Sequence, residues 1–232
     1  MAKAPEKLEA ELTFGEKLND FMQKYRKIFV IGFCAIVIIL TAFIIGSYVR
    51  DKMRENALTR LDELMQHHEE LKGFIGSDMP DALGRQIELV VLLEELADFA
   101  GRNSGFAAAR AHTIRADIFW DQENWREAEQ AWLEAARSSP QSYLAPISFY
   151  NAAVAAEEHG NTEAAISHYR SALTFGDVFP VAARAQFSIG RLEETRNNRD
   201  AAIAAYRNLL NTWPDDPVWP ALAQSRILML TE

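Results

Sequence analysis

From Ile28 to Val49 the chain runs for 22 residues without a charge, and on both sides of that run apolar positions fall at helical spacing. As a helix rising ~1.5 Å per residue the run spans about 33 Å, slightly more than a ~30 Å hydrocarbon core. Fourteen of the 22 are Ile, Leu, Val or Phe. Together they favour the bilayer by on the order of 4–8 kcal/mol. Lys24, Arg26 and Lys27 close one end, and Arg50 and Lys52 close the other, where long basic stems reach back to water. The run exceeds a signal-peptide core of ~7–15 residues and no A-x-A site comes after it, so the pattern predicts an uncleaved transmembrane helix over 28–49. The other long uncharged stretch, from Ser138 to Ala156, is interrupted by Pro140 and Pro146 and reads as soluble.

Residues 1–12 are charged and aperiodic, the composition of a disordered tail. Thr13 and Glu16 fit a capping box that opens a helix carrying Phe14, Leu18, Phe21 and Tyr25. That helix is either a surface helix or the membrane helix extended outward. After the span, Ala57, Leu61, Leu64, His68 and Leu71 adopt 4-3-4-3 spacing. Barely two heptads long, this seam serves either packing against the first repeat or self-assembly. Gly73, Gly76 and Pro80 then break the helix. A further helix from about Asp81 to Ala100 carries Ile87, Val90, Val91, Leu93 and Leu96 over a wide arc, and is expected to be well buried.

Beyond it the pattern repeats every 37 residues. Small residues recur at Ala116, Ala153 and Gly190, and again at Ala128, Ala165 and Ala202. Aromatics recur at Trp132, Tyr169 and Tyr206, and asparagines at Asn124, Asn161 and Asn198. A fixed period of this length means one helical hairpin repeated three times. Small side chains let two helices approach to ~8–10 Å, and the aromatic fills the gap toward the next unit. Asparagine is expected at a left-handed position of the intervening turn, with proline ending the second helix.

This register resembles the tetratricopeptide repeat. Ala135 and Pro140 extend the match in the first unit, Ala172 in the second and Pro214 in the third. The resemblance implies an all-α, tetratricopeptide-like solenoid of helical hairpins, with units near 109–140, 146–177 and 183–214. Departures are His112 and Arg115 at apolar positions, Asp177 for proline and Leu209 for a small residue. The usual unit is about 34 residues, so each linker is slightly long. Asp81–Ala108 is expected to form a degenerate leading hairpin. Asp216 and Pro217 open a cap helix over 217–230 with Trp219, Leu222, Ala223, Ile227 and Leu230 on one face. The expected domains are thus a segment 1–27, the span 28–49, a juxtamembrane helix and linker 50–80, and a repeat domain 81–232.

The resemblance also implies where partners bind, since the first helix of each unit lines the concave face. Those groove positions hold Arg110, Thr113, Asp117 and Trp120; then Ile147, Tyr150, Val154 and Glu157; then Arg184, Phe187, Arg191 and Glu194. Aromatics interleaved with arginines suit an extended peptide, and Arg184 and Arg191 suit an acidic one. The alternative is a groove filled by the helix immediately after the membrane span.

Charge narrows the classes. Net charge is −9, and residues 50–232 hold 18 Lys/Arg against 28 Asp/Glu, which argues against nucleic acid. Cys34, the single cysteine, lies in the apolar run and reads as a small hydrophobe. The five histidines read as solvated or capping groups, with no metal site. Glu94–Glu95 and Glu157–Glu158 read as solvated faces. No nucleophile motif, phosphate loop or HExxH occurs, so neither an enzyme nor a cofactor is expected.

A short lead, one membrane helix and this repeat domain are also similar to the ancillary subunits of the bacterial Sec translocon. That likeness implies a single-pass inner-membrane protein, N-terminus inside and repeats outside the cytoplasm. Its partners would be translocon subunits, chaperones or exported polypeptides. Flanking charges tie at four against four and do not orient the span. The other reading is a homo-oligomeric envelope scaffold assembled through residues 50–72 and the repeats.

Overall fold

The computed structural model describes residues 14–73 and 82–232, and every regular element among them is helical. The expectations for residues 1–12, for Thr13 and for Gly76, Pro80 and Asp81 lie outside the described residues. Two compact units divide between Asn56 and Ala57.

The first unit is helical from Phe14 onward, within α1 (Phe14–Gly73). No break separates the stretch before Ile28 from the apolar run, so the surface-helix alternative gives way to outward extension. The run's side chains are exposed: Ile31 and Phe33 are each 68% accessible. The hydroxyls of Thr41 and Ser47 donate to the carbonyls of Val37 and Ile44, each at 2.8 Å.

The second unit comprises the end of α1, eight further α-helices and a short 3-10 turn at Gly176–Val178 among the described residues. The α-helices are α2 (Ala82–Arg102), α3 (Gly105–Asp121), α4 (Trp125–Ser138), α5 (Leu144–Glu158), α6 (Thr162–Leu173), α7 (Ala182–Thr195), α8 (Arg199–Thr212) and α9 (Trp219–Thr231). From α2 onward each helix packs on the next in chain order. This is the architecture of an all-α tetratricopeptide-like solenoid. Pairs α3/α4, α5/α6 and α7/α8 coincide with the three expected units.

Each small residue of the register is buried at a helix crossing: Ala116, Ala128, Ala153, Ala165 and Ala202 are all 0% exposed. Trp132, Tyr169 and Tyr206 are 4%, 2% and 0% exposed. Gly190 shows how tight the approach is. A Cβ placed there would lie 2.4 Å from Cε1 of the Tyr206 ring.

The intervening turns are more alike than the sequence suggests. Asn124, Asn161 and Asn198 donate their N–H to Phe119, Ala156 and Glu193 carbonyls at 2.8–2.9 Å, five residues back. Their own carbonyls accept the first bond of the next helix, from Ala128, Ala165 and Ala202. The left-handed residue is the one before: Glu123 (φ 60), Gly160 (φ 83) and Asn197 (φ 60). The asparagines have φ near −90 and are helix N-caps. The expectation of left-handed asparagine was therefore off by one position, because the first helix ends in a Schellman-type closure before the cap begins.

Other differences concern the ends of the stack. Leu61, Leu64, His68 and Leu71 are 1–4% exposed, and the three leucines pack with Leu92, Leu96, Ile114 and Ile118. The heptad-like seam is buried inside the chain, which removes it as an assembly surface. Residues 82–102 form a single helix that packs on α3 and shares a core with the end of α1, so 81–108 does not make a hairpin by itself. Helices cover α2 on one side only, so Leu92 and Leu96 are fully buried while Ile87, Val90 and Val91 remain about half exposed. The helix expected to be well buried is thus buried along Leu92 and Leu96 only. In α9, Ala223 is buried and Trp219, Ile227 and Leu230 pack around it, but Leu222 is 44% exposed. Asp216 caps through its Oδ1, which accepts the N–H groups of Val218 and Trp219 at 3.0 and 3.1 Å.

Gly190→Ala forces a methyl into a ring that cannot retreat, and is expected to destabilise the second unit by about 1–3 kcal/mol. Gly101→Ala, where a Cβ meets nothing within 4 Å, is the control. Equal melting temperatures for the two variants in the full chain would contradict the packing described.

Candidate functional site

The concave faces of α5 and α7 meet in a cleft of about 280 Å³, lined by Tyr150, Val154, Glu157, Arg184, Phe187, Arg191 and Trp219 among others. Six of these seven are positions the register assigns to the groove. The period of 37 brings them together by placing equivalent faces of successive first helices side by side. Trp219 was missed, because α9 reads from sequence as a lid; in the structure its first turn also supplies a groove wall.

Aromatic side chains make the floor. Tyr150 packs on Tyr169 at 5.4 Å between ring centroids and on Phe179 at 6.0 Å. Phe187 lies 5.3 Å from Tyr206 and 5.2 Å from Trp219. The Arg184 guanidinium sits 5.7 Å over the Tyr150 ring, within cation–π range.

The acids of this face are not free. Tyr169 donates its hydroxyl hydrogen to Glu157 Oε1 at 2.6 Å, and Arg191 forms an ion pair with Glu157 Oε2. The next unit repeats the device: Tyr206 donates to Glu194, and Arg226 of α9 pairs with the same carboxylate. Burial and the adjoining carboxylates push both phenols above the usual tyrosine range. Burial works to raise Glu194, but the bonds from Arg226 and Tyr206 overcome it and hold the group low. Reading Glu157 as a solvated face was therefore wrong. The signal was present in the sequence: a glutamate twelve residues before the repeat tyrosine, at 157/169 and 194/206.

In the first unit those two positions hold Trp120 and Trp132. Their rings lie 5.6 Å apart, Trp125 adds an edge contact to Trp120 at 4.6 Å, and Trp132 Nε1 is buried without an acceptor. Trp120 is thus a packing residue of the first hairpin. The other first-unit candidates stand apart from the cleft. Thr113 donates to the Ala109 carbonyl at 3.0 Å. Asp117 and Arg110 lie within electrostatic reach of Lys72 or His68 at the end of α1. The structure thus divides the groove: its first-unit part meets the chain's own helix, and the part between the second and third units is open.

Among the lining residues, the pairing leaves Arg184 as the cation without a carboxylate and Glu158 as the acid without a cation. Arg191, expected to await an acidic partner, is committed to Glu157.

Elsewhere, three of the five histidines bond to carboxylates rather than facing solvent. His159 and His168 bond both oxygens of Glu129 at 2.6 and 2.7 Å, and His112 lies 3.1 Å from Glu134. His68 is 4% exposed. His159 is the C-cap residue of α5, as expected, but reading His68, His112 and His168 as solvated or capping was mistaken. Among the described residues no group of three His, Cys, Asp or Glu side chains is placed to hold a metal ion.

Burial pushes the Asp117 carboxyl up to about 6, against the pull of Lys72 and Arg110. A carboxyl raised on folding costs nothing below its unfolded value near 3.8, and its penalty grows to full size above pH 6. Asp117→Asn is therefore expected to stabilise the protein by about 2–3 kcal/mol at pH 7.5 and not at pH 4. Burial lowers His68, whose contribution runs the other way and is lost as pH falls below the ordinary histidine range. Chemical denaturation of both proteins at the two pH values measures the difference.

The profile of the tetratricopeptide repeat family matches residues 113–178 and 150–217. A protein of Treponema pallidum (strain Nichols) described as a TPR repeat-containing protein is 38% identical over 143 residues, 62% of this chain and 59% of that protein. The chain thus spans less than two thirds of that relative.

Proposed function

Residues 113–217 carry tetratricopeptide repeats, and from that premise we propose a membrane-tethered adaptor that holds protein partners in the cleft between its second and third units. The repeats by themselves point to protein partners. The observation that carries the finer reading is the cleft: aromatic side chains around the Arg184 guanidinium, beside an Arg191 that is already paired with Glu157. Such a surface suits an extended segment that sets aliphatic or aromatic side chains against Tyr150, Phe187 and Trp219 and an acidic group against Arg184.

The tether reading rests on α1. Ile28–Val49 is uncharged and long enough for a bilayer, its apolar side chains are exposed, and the hydroxyls of Thr41 and Ser47 donate to carbonyls within the helix. Hydrocarbon demands such internal partners of polar groups. One helix of this kind, near the N-terminus, is long and apolar enough to cross a membrane among the described residues. An apolar helix ahead of a repeat domain also supports the likeness to ancillary Sec translocon subunits. On that reading the chain sits in a bacterial inner membrane with its repeats outside the cytoplasm, near translocon subunits, chaperones or exported polypeptides.

Two measurements test the proposal. Alkaline extraction of cell membranes is expected to leave the full chain in the pellet, and protease added to spheroplasts is expected to remove the repeats. A soluble chain, or repeats protected until lysis, would defeat the tether or its orientation. Arg184→Glu combined with Tyr150→Ala is expected to abolish in-cell photocrosslinks made from Phe187, with helix content unchanged. Persistence of the same crosslinked products would place the contact surface elsewhere.

A further inference from the structure

A second cavity lies away from the groove, where the end of α1 and the start of α2 meet the end of α3. Its volume is about 490 Å³, within the range of small-molecule sites. Leu71, Leu89 and Ile118 form an apolar wall, and Lys72, Arg85 and Gln122 face the same space. The size alone decides little, since an apolar recess of this kind can be left by imperfect packing.

Its polar groups are more selective. Gln122 Nε2 is buried without an acceptor, while its Oε1 already accepts from Asn124 at 3.2 Å. Buried donors are nearly always paired, and an orphan calls for an acceptor that the described residues do not provide. Arg85 has no carboxylate partner among the described residues, and the first turn of its helix carries no acid. The acid at the rim, Asp121, is engaged by Lys72 at 3.8 Å. What stays open is therefore a set of donors, one buried and one cationic, beside an apolar wall. A ligand that completes it must bring acceptor oxygens and negative charge on an apolar body. A planar carboxylate matches the fork of an arginine and can take the amide N–H as well.

We propose that this cavity binds a small organic carboxylate, its oxygens on Arg85 and Gln122 and its hydrocarbon stem against Leu71, Leu89 and Ile118. The site is independent of the peptide cleft and makes the junction of α1 with the solenoid responsive to a metabolite-sized anion. Because the same three helices make both the cavity and the leading core, occupancy stabilises the second unit by linkage.

The test uses the full chain in detergent at pH 7.5, with hexanoate, hexanol and acetate as probes, read by titration calorimetry and by thermal shift. Hexanoate is expected to bind and raise the melting temperature. Hexanol and acetate, each lacking half of the recognition, are expected to bind about tenfold more weakly or worse. Arg85→Gln and Gln122→Leu are each expected to weaken hexanoate by about tenfold, while Arg207→Gln on the exposed face of α8 leaves it unchanged. Equal affinity for hexanol and hexanoate would overturn the proposal, as would affinity untouched by Arg85→Gln in a protein that melts normally. Strong exchange protection of the 74–81 amides in the ligand-free protein would also overturn it, by identifying the chain's own linker as the occupant.

Discussion

Everything in the second unit depends on how closely the two helices of each hairpin approach. Ala116 against Ala128, Ala153 against Ala165 and Gly190 against Ala202 leave no solvent-accessible surface at the crossings made by alanine. With backbones this near, the repeat aromatic has one place to go, into the gap toward the next unit. The ring at Tyr206 lies so close to Gly190 that even a methyl does not fit between them. Interiors are packed to crystal density, so this choice of smallest side chains sets the spacing of the hairpins and, through it, the spacing of the groove-lining faces.

A second constraint fixes orientation rather than distance. The phenol of each repeat tyrosine and an arginine from the next unit or the cap helix converge on one glutamate, at Glu157 and again at Glu194. Each such bond set ties three helices across a unit boundary. Removing the tyrosine hydroxyl or the arginine would leave a mostly buried carboxylate, 16% exposed at Glu157 and 13% at Glu194, with one partner fewer. In the first unit the pair Trp120–Trp132 does the same task by packing. That exchange of a polar tie for an apolar one coincides with the point where the end of α1 lies against the solenoid.

The consequence for function is that charge on the concave face is mostly internal. Acids and cations that read from sequence as a recognition surface are engaged in holding the stack together, and Arg184 with its aromatic surroundings is what faces outward in the open cleft. The overall acidity of residues 50–232 (18 basic against 28 acidic side chains) adds to the selectivity of that one spot, since an acidic partner is repelled elsewhere.

The period of 37, the small and aromatic columns and the uncharged run are local patterns, and a helix exposes local patterns directly. Sequence alone therefore determined the all-α solenoid of helical hairpins and the small and aromatic columns that pack them. It did not determine which of the groove positions stay available. That depends on partners from distant stretches: Tyr169 with Glu157, Arg226 with Glu194, the end of α1 against α2 and α3. Nor did it reveal that the left-handed turn residue precedes the asparagine, since Glu123, Gly160 and Asn197 share a backbone conformation but no side-chain chemistry. Helix and register come from spacing along the chain. The pairing of charges, the exposure of Ile87 and Val90 on α2 and the donor-lined cavity behind Lys72 arise only when separate helices are brought together, and tertiary structure alone decided them.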